Sequence, residues 1–428
     1  MIRSSCHNLQ DLNIGKQEAL LSFLAEYRRV GQIILDEIWE QGYEWNYGEE
    51  TKRFYVKENL LELPEFLDYN RFGVETLLSA RAMSSLVTQI SGILRGNLEK
   101  QRKRFFIRDQ QLAEGKCVNR KLLEKIEKHA PGKPNISRMN AEISSKCCDF
   151  EKSDKFFEGF LRLKSIGSSF DKIILPIRFH KHSKQFSTWE RKNSFLVGEN
   201  FVNIRWFKET PAKKEMGSTL GADQGKTTCL TLSDSQITTK NSQGIALPEI
   251  LEKLARKKKG SKAFRSAQVE RKNYINWSIN QLNFSGIKEI RLEDIWNISY
   301  GRRLPRKLVH WTNTIIRDKV EARCETEGVL LKFQTSTYRS QRCSCCGFVR
   351  KANRKGKTYL CVNCGLEIDA DLNAALNHEQ DLPDVPYSLR VLKLNRKGFF
   401  WKPEGFFDQG GVELGVPLVT SNQSISNV

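Results

Sequence analysis

The 428-residue chain carries 70 Lys and Arg against 50 Asp and Glu, a formal charge of +20 with a pI near 9.5. A field of that sign concentrates polyanions, so nucleic acid is the first partner to expect and an acidic membrane surface the second. Hydrophobic residues at 39% and aromatics at 10% exclude a disordered basic tail, which lacks the apolar surface for a core, and the length suffices for roughly two to four domains.

Residues 1–13 hold one Arg followed by polar residues, with neither a signal-peptide pattern nor a clear strand. No stretch approaches the roughly 18 consecutive apolar residues of a spanning helix, so a cytoplasmic protein is expected, nucleoid-associated if it holds DNA. From Lys16 to His129 the pattern is helical: Leu20, Phe23, Leu24, Tyr27, Ile34 and Ile38 fall on one face. A second long helix is predicted over residues 84–106, apolar at Leu86, Ile90, Ile93 and Leu94. Its end is basic, and Arg95, Arg102, Lys103, Arg104 and Arg108, interrupted by Phe105 and Phe106, form either a phosphate-contacting stripe or a solvated cationic face.

Two prolines and a glycine at residues 130–134 break the chain. Residues 172–179, 194–197 and 201–206 then read as strands of an antiparallel sheet or small barrel. Trp189, Trp206 and Phe207 in this region suit core packing better than base stacking. From Gly217 the order is strand, loop, basic helix, strand and more helix, with Arg256, Lys257, Lys258, Lys259 and Lys262 on the predicted basic helix of residues 254–262. No segment repeats at a fixed period, which excludes a solenoid. The tail after Gln380 is rich in Pro and Gly and ends in an uncharged polar stretch, residues 420–428, expected to be poorly ordered.

Five of the 11 cysteines, Cys343, Cys345, Cys346, Cys361 and Cys364, lie in one short segment, which fits a reduced protein with one metal site better than a disulfide framework. Cys343-x-x-Cys346 and Cys361-x-x-Cys364 are 14 residues apart, the pattern of a ribbon whose four thiolates close a tetrahedral Zn²⁺ site. Gly347 and Gly365 follow each pair, where a knuckle needs positive φ; Cys345 is surplus. With four protein ligands no position is open to water, so this zinc is structural. Acids end three predicted elements: Asp223 after Gly221-Ala, Glu293 and Asp294 after a β-branched run, and Asp369 and Asp371 where a turn passes into a helix. Converging carboxylates suit Mg²⁺, although caps and solvated turns produce the same spacing.

In order, Gly221-Ala-Asp-Gln-Gly225, Leu292-Glu-Asp294, the cysteine pairs and Asp369-Ala-Asp-Leu-Asn-Ala-Ala375 closely resemble the C-terminal half of TnpB nucleases, the transposon-encoded relatives of compact type V CRISPR effectors. The match covers about residues 217–378. The resemblance implies a ribonuclease-H-like (RuvC) site of Asp223, Glu293 and Asp371 holding two catalytic Mg²⁺, one structural Zn²⁺ on Cys343, Cys346, Cys361 and Cys364, and a basic bridging segment at residues 254–262. His378 departs from the pattern, standing where an aliphatic residue usually follows D-x-N-A-A-x-N.

The fold class expected is α+β multidomain: a helical recognition region, a β-rich, barrel-like wedge domain and a RuvC-like α/β domain with an inserted zinc ribbon. The boundaries expected are 1–15 as a first piece of the wedge, 16–129 helical recognition, 130–215 wedge, 216–338 and 367–380 nuclease, 339–366 ribbon, and 381–428 a partly disordered tail. The resemblance further implies an RNA-guided DNA endonuclease, with guide RNA and double-stranded target DNA as partners, acting as monomer or homodimer away from membranes. A nuclease-silent guided repressor and an unguided transposase accessory nuclease are the alternatives; the presence of all three acids argues against the first.

Overall fold

A computed structural model describes residues 1–40, 46–48, 53–55, 72–113, 115, 117–118, 120–127, 132–153, 155–170, 173–295 and 313–414. Residues 420–428, expected to be poorly ordered, lie outside the described residues. The fold is mixed α/β with several sheets, and the chain divides into two compact units, residues 1–113 with 117–209, and 114–116 with 210–428.

The first unit runs β1 (Ile2–Asn8), α1 (Ile14–Glu40), a hairpin of β2 (Asn46–Gly48) and β3 (Arg53–Tyr55), α2 (Ala80–Ala113), α3 (Arg120–Glu127), β4 (Ala141–Ile143), β5 (Cys148–Lys152), β6 (Gly159–Leu163), β7 (Ile174–Ile177), α4 (Lys181–Lys184), β8 (Glu190–Val197) and β9 (Phe201–Phe207). The helical face read from the sequence is the buried one: Leu20, Phe23, Leu24, Tyr27, Ile34 and Ile38 enter a core shared with Leu86 and Ile90 of α2 and with Val202, Ile204 and Trp206 of β9. Helical and strand-rich stretches are thus packed around one core. The sheets are open, in the orders β1-β9-β8-β4 and β5-β6-β7, so the barrel-like wedge is corrected to two open sheets.

The expectation that residues 1–13 lack a strand is also overturned. β1 pairs antiparallel with β9 from Ile2↔Phe207 to Asn8↔Phe201. Its signal is hidden because its buried positions include polar Ser5 and His7, satisfied internally: Ser5 Oγ lies 2.7 Å from His7 Nε2 and accepts from Trp206 Nε1 at 2.7 Å. Trp206 stacks on Phe186, and Trp189 meets the edge of Phe186, so these tryptophans serve the core.

The second unit runs β10 (Ser218–Gln224), β11 (Leu230–Leu232), α5 (Leu247–Arg256), α6 (Lys262–Gln281), β12 (Ile287–Asp294), α7 (Asn313–Glu327), β13 (Leu330–Thr335), β14 (Phe348–Val349), β15 (Arg354–Lys355), β16 (Thr358–Leu360), β17 (Glu367–Asp369), α8 (Ala370–Glu379), α9 (Tyr387–Val391), β18 (Phe399–Lys402) and β19 (Gly405–Phe407). Its main sheet has the order β11-β10-β12-β13, with β10, β12 and β13 parallel and β11 antiparallel to β10. Parallel strands need covering helices, and Leu220, Ala222, Ile290 and Leu292 pack with Leu251 and Leu254 of α5 and Ile275 and Ile279 of α6.

The single basic helix expected over residues 254–262 is two helix ends. α5 stops at Arg256, Lys257 is extended, Gly260 takes φ +86°, and Ser261 caps α6 by accepting from Phe264 N at 3.1 Å. Four successive cations followed by a glycine and a capping serine favour a turn over helix continuation. Residues 382–407, expected as tail, carry Leu382, Val385, Leu389, Phe399, Trp401 and Phe406 into a small core beneath the sheet β14-β18-β19.

α8 lies against β10 so closely that a Cβ on Gly221 would overlap Ala375 O and Glu379 N, backbone atoms that cannot swing aside. Gly221→Ala is therefore expected to destabilise the second unit by at least about 1–3 kcal/mol, read as a lowered urea midpoint with an unchanged m-value.

Candidate active site and metal centres

Asp223 and Glu293 are the penultimate residues of β10 and β12. The register Ala222↔Leu292 makes them neighbours at the carboxyl ends of two adjacent parallel strands, the crevice where open α/β sheets receive ligands. Gln224 Nε2 donates to Glu293 O at 2.9 Å and ties the strand ends together. Asp371 enters from α8, near the N-terminus of that helix. The neighbouring acid acts differently: Asp369 is the cap, its Oδ1 accepting from Asp371 N at 2.9 Å and Leu372 N at 3.0 Å.

The three carboxyls differ in their electrostatics. Burial pushes Asp223 well above the carboxylate range, and the charges of Glu293 and Asp371 add to it. Burial likewise raises Glu293 to about 7, against the pull of a Gln224 backbone hydrogen bond and the Arg354 charge. Asp371 is also pushed up by burial, but Lys357 and Thr228, with the charge of Arg354, outweigh this and hold it below its ordinary value. Its oxygens accept from Thr228 Oγ1 at 2.7 Å, Arg354 Nη2 at 3.0 Å and Lys357 Nζ, which also donates to Thr228 at 2.8 Å. Oxygen donors of this kind fit Mg²⁺.

A fourth group stands beside them. His378, on α8 two turns beyond Asp371, is 1% exposed, and one of its ring nitrogens lies with an oxygen of Asp223 and one of Glu293 in a cluster no wider than 4.8 Å. Burial, with the charge of Arg339, lowers its pKa to about 3, so the ring is neutral.

The cysteine pairs form two matching knuckles. Gly347 N donates to Cys343 O at 3.0 Å and Gly365 N to Cys361 O at 2.9 Å, with φ of +77° and +76° at the two glycines. The Sγ atoms of Cys343 and Cys364 are 3.6 Å apart, and those of Cys346 and Cys361 3.7 Å. A tetrahedral zinc with Zn–S bonds of about 2.3 Å requires sulfurs about 3.8 Å apart, close to these two separations, and all four sulfurs lie within 4.8 Å of one another. Cys345 is exposed and outside the cluster.

The ribbon is bolted to the site by the asparagines of the D-x-N-A-A-x-N segment. Asn373 Nδ2 donates to Arg342 O at 2.8 Å, and Asn377 Nδ2 donates to Arg339 O at 3.0 Å and Arg342 O at 2.7 Å. Arg342 Nη1 donates back to Asn377 Oδ1 at 2.5 Å. The i, i+4 spacing of the two asparagines marks them on one helix face, and the alanines between them allow the close approach to β10. Sequence reasoning passed over these asparagines, and also Thr228, Arg354 and Lys357.

The predicted cationic residues lie on other elements, α2 and the α5–α6 turn. Among those of α2, Lys103 is exposed, Arg104 donates to Lys125 O at 3.1 Å, and Arg108 pairs with Asp109 at 2.7 Å while lying 4.7 Å from the Phe105 ring centre. Arg95 and Arg102 fall on the helix, but their side chains lie outside the described residues. Lys258, Lys259 and Lys262 are exposed around the α5–α6 turn, Lys257 is half-buried, and Arg256 pairs with Glu252 at 3.5 Å.

Comparison with known proteins bears out the TnpB and compact type V likeness. Residues 314–378, which hold the ribbon and most of α8, match the Cas12f1-like TNB domain. The chain is 34% identical over 106 residues to the CRISPR-associated endodeoxyribonuclease Cas12f1 of Sulfoacidibacillus thermotolerans (24% of each chain). It is 33% identical over 80 residues to a TnpB-like protein of Aquifex aeolicus (strain VF5), covering 18% of this chain and 26% of that one. These matches span about a quarter of each relative's length. In fold, the chain is similar to Cas12f1 in a complex with sgRNA and target DNA, with a TM-score of 0.50 and 13% identity over 87% of this chain and 83% of that one. It is similar also to the mini-RNA-guided endonuclease CRISPR-Cas_phi3, with a TM-score of 0.50 and 10% identity over 90% and 93%. Among the described residues no helix is long and apolar enough to cross a membrane.

The raised carboxyls set a pH dependence. A folded-state pKa above the unfolded value favours folding below the ordinary carboxylate range and loses that contribution as pH rises through about 7 for Glu293. A metal ligand must be deprotonated. The thermal midpoint of the metal-free site is therefore expected to fall between pH 5 and 8 relative to an Asp223→Asn, Glu293→Gln control, and the gain from added divalent cation to grow over the same interval.

Proposed function

We propose that the chain is an RNA-guided DNA endonuclease that hydrolyses phosphodiester bonds at a RuvC-like site, with Asp223, Glu293 and Asp371 as ligands of two Mg²⁺ and Cys343, Cys346, Cys361 and Cys364 as ligands of a structural Zn²⁺. The observation that carries this reading is the meeting of Asp223 and Glu293 at adjacent parallel strand ends beside Asp371. When bound, the divalent metal supplies an activated water and neutralises charge on the leaving 3′-oxygen. The chain's part is to hold the carboxylates in register, to keep Asp371 ionised through Lys357 and Thr228, and to present Arg354 and Lys357 where a phosphodiester would meet positive charge. Guide and target strands follow from the likeness to Cas12f1 and from the charge of +20, with the cations of α2 and of the α5–α6 turn as candidate phosphate contacts. All three acids are present, which favours an active enzyme over a silent DNA-binding one.

Asp223→Ala is expected to abolish Mg²⁺-dependent cleavage of target DNA while leaving DNA binding within about a few-fold; persistent cleavage would overturn the site. A discrete structured RNA should copurify from cells that carry the native flanking DNA, and its absence on sequencing would sink the guided reading. Elemental analysis is expected to give one zinc per chain. Cys361→Ser should lose that zinc and lower the thermal midpoint of the second unit, because metal-binding energy at such a site is folding energy.

A further inference from the structure

His378 is left unexplained by a site built of three carboxylates. An imidazole in a helix interior is ordinarily hydrogen-bonded, since a buried polar atom without a partner is destabilising by about 1–3 kcal/mol. Here the ring is almost wholly buried and its Nδ1 has no hydrogen-bond partner. The ring is nevertheless held against the two carboxylates of the strand ends, with one ligand atom from each of Asp223, Glu293 and His378 within 4.8 Å of the others. Donors about 2.1 Å from one cation lie at most about 4.2 Å apart, so these three can share an ion after side-chain shifts of a few tenths of an ångström.

The helix geometry separates this cluster from Asp371. Asp371 and His378 are two turns apart on α8, which runs past β10 so that Ala375 and Glu379 face Gly221, while Asp371 lies near Gly225. Asp223, midway between those glycines, is flanked by Asp371 on one side and His378 on the other. The Asp371 side is oxygen-only and carries Lys357 and Arg354; the His378 side adds a nitrogen donor.

We propose that Asp223, Glu293 and His378 form an inner cation position with mixed nitrogen and oxygen donors, selective for a first-row transition ion over Mg²⁺. Imidazole strengthens binding of first-row transition ions, whereas Mg²⁺ takes oxygen ligands and keeps its waters. The inference deepens the nuclease reading by giving one of its cation positions a chemical preference, and it is tested through binding, so its failure leaves that reading standing.

The test uses the full-length, zinc-loaded chain with Co²⁺ and Mg²⁺ as probes, followed by calorimetry and by X-ray absorption at the cobalt edge. The result expected is tight Co²⁺ binding with imidazole scattering and no sulfur in the cobalt shell. His378→Leu, close in volume and apolar, should remove the imidazole signal and weaken Co²⁺ about 10–100-fold, the range seen when a metal site loses a supporting group, while Mg²⁺ affinity changes less than about twofold. His378→Gln repeats the comparison with a polar side chain in case the leucine variant misfolds. Asp371→Ala should abolish cleavage but retain the imidazole signal, which separates the inner position from the nuclease reading. An oxygen-only cobalt shell in the unaltered chain, an imidazole signal that survives His378→Leu, or equal losses of Co²⁺ and Mg²⁺ would each overturn the proposal.

Discussion

The second unit depends on the backbone contact between α8 and β10. At Gly221 the two elements come so near that no side chain fits between them. Helix and strand at that separation bring Asp371 of one beside Asp223 of the other, and they exclude water from the crevice where both carboxyls lie. Desolvation is the first cause of the upward push on Asp223 and Glu293, so the electrostatics of the site follow from a steric fact.

The same helix carries the ribbon. Asn373 and Asn377 face the chain that enters the first knuckle, and the hairpin between the knuckles sends Arg354 and Lys357 back to Asp371. One ten-residue helix thus joins the sheet, the four-cysteine centre and the carboxylate cluster. The split roles of Asp369 and Asp371 follow from helix geometry: the first satisfies the amides at the helix start, which leaves the second to turn inward.

Much of this was legible in the sequence, for identifiable reasons. Cysteine spacing reports a four-thiol cluster because two tight turns leave the pairs little freedom, and the apolar face of α1 is visible because one side of a helix must be buried. Asp223, Glu293 and Asp371 were singled out through an ordered set of motifs, where spacing alone favoured caps and solvated turns. What stayed hidden depends on tertiary contact. β1 escaped notice because Ser5 and His7 fill positions where apolar residues announce a strand. The α5–α6 turn was read as helix because its lysines suit both, and only Gly260 and Ser261 distinguish them. Lys357 and Arg354 carry no local mark; their importance arises from a partner 14 or 17 residues away across the ribbon.

The acceptors of the asparagine lock are mostly main-chain carbonyls, those of Arg339 and Arg342. A joint that grips mostly backbone depends first on the path of the chain it holds, with the Arg342 side chain answering Asn377 Oδ1. The lock therefore constrains the main chain of residues 339–344, while the loop between the knuckles is constrained separately, through Arg354 and Lys357 on Asp371. Two duties are thus divided between backbone and side chain: main-chain carbonyls seat the helix, and two cations of the loop serve the carboxylate it carries.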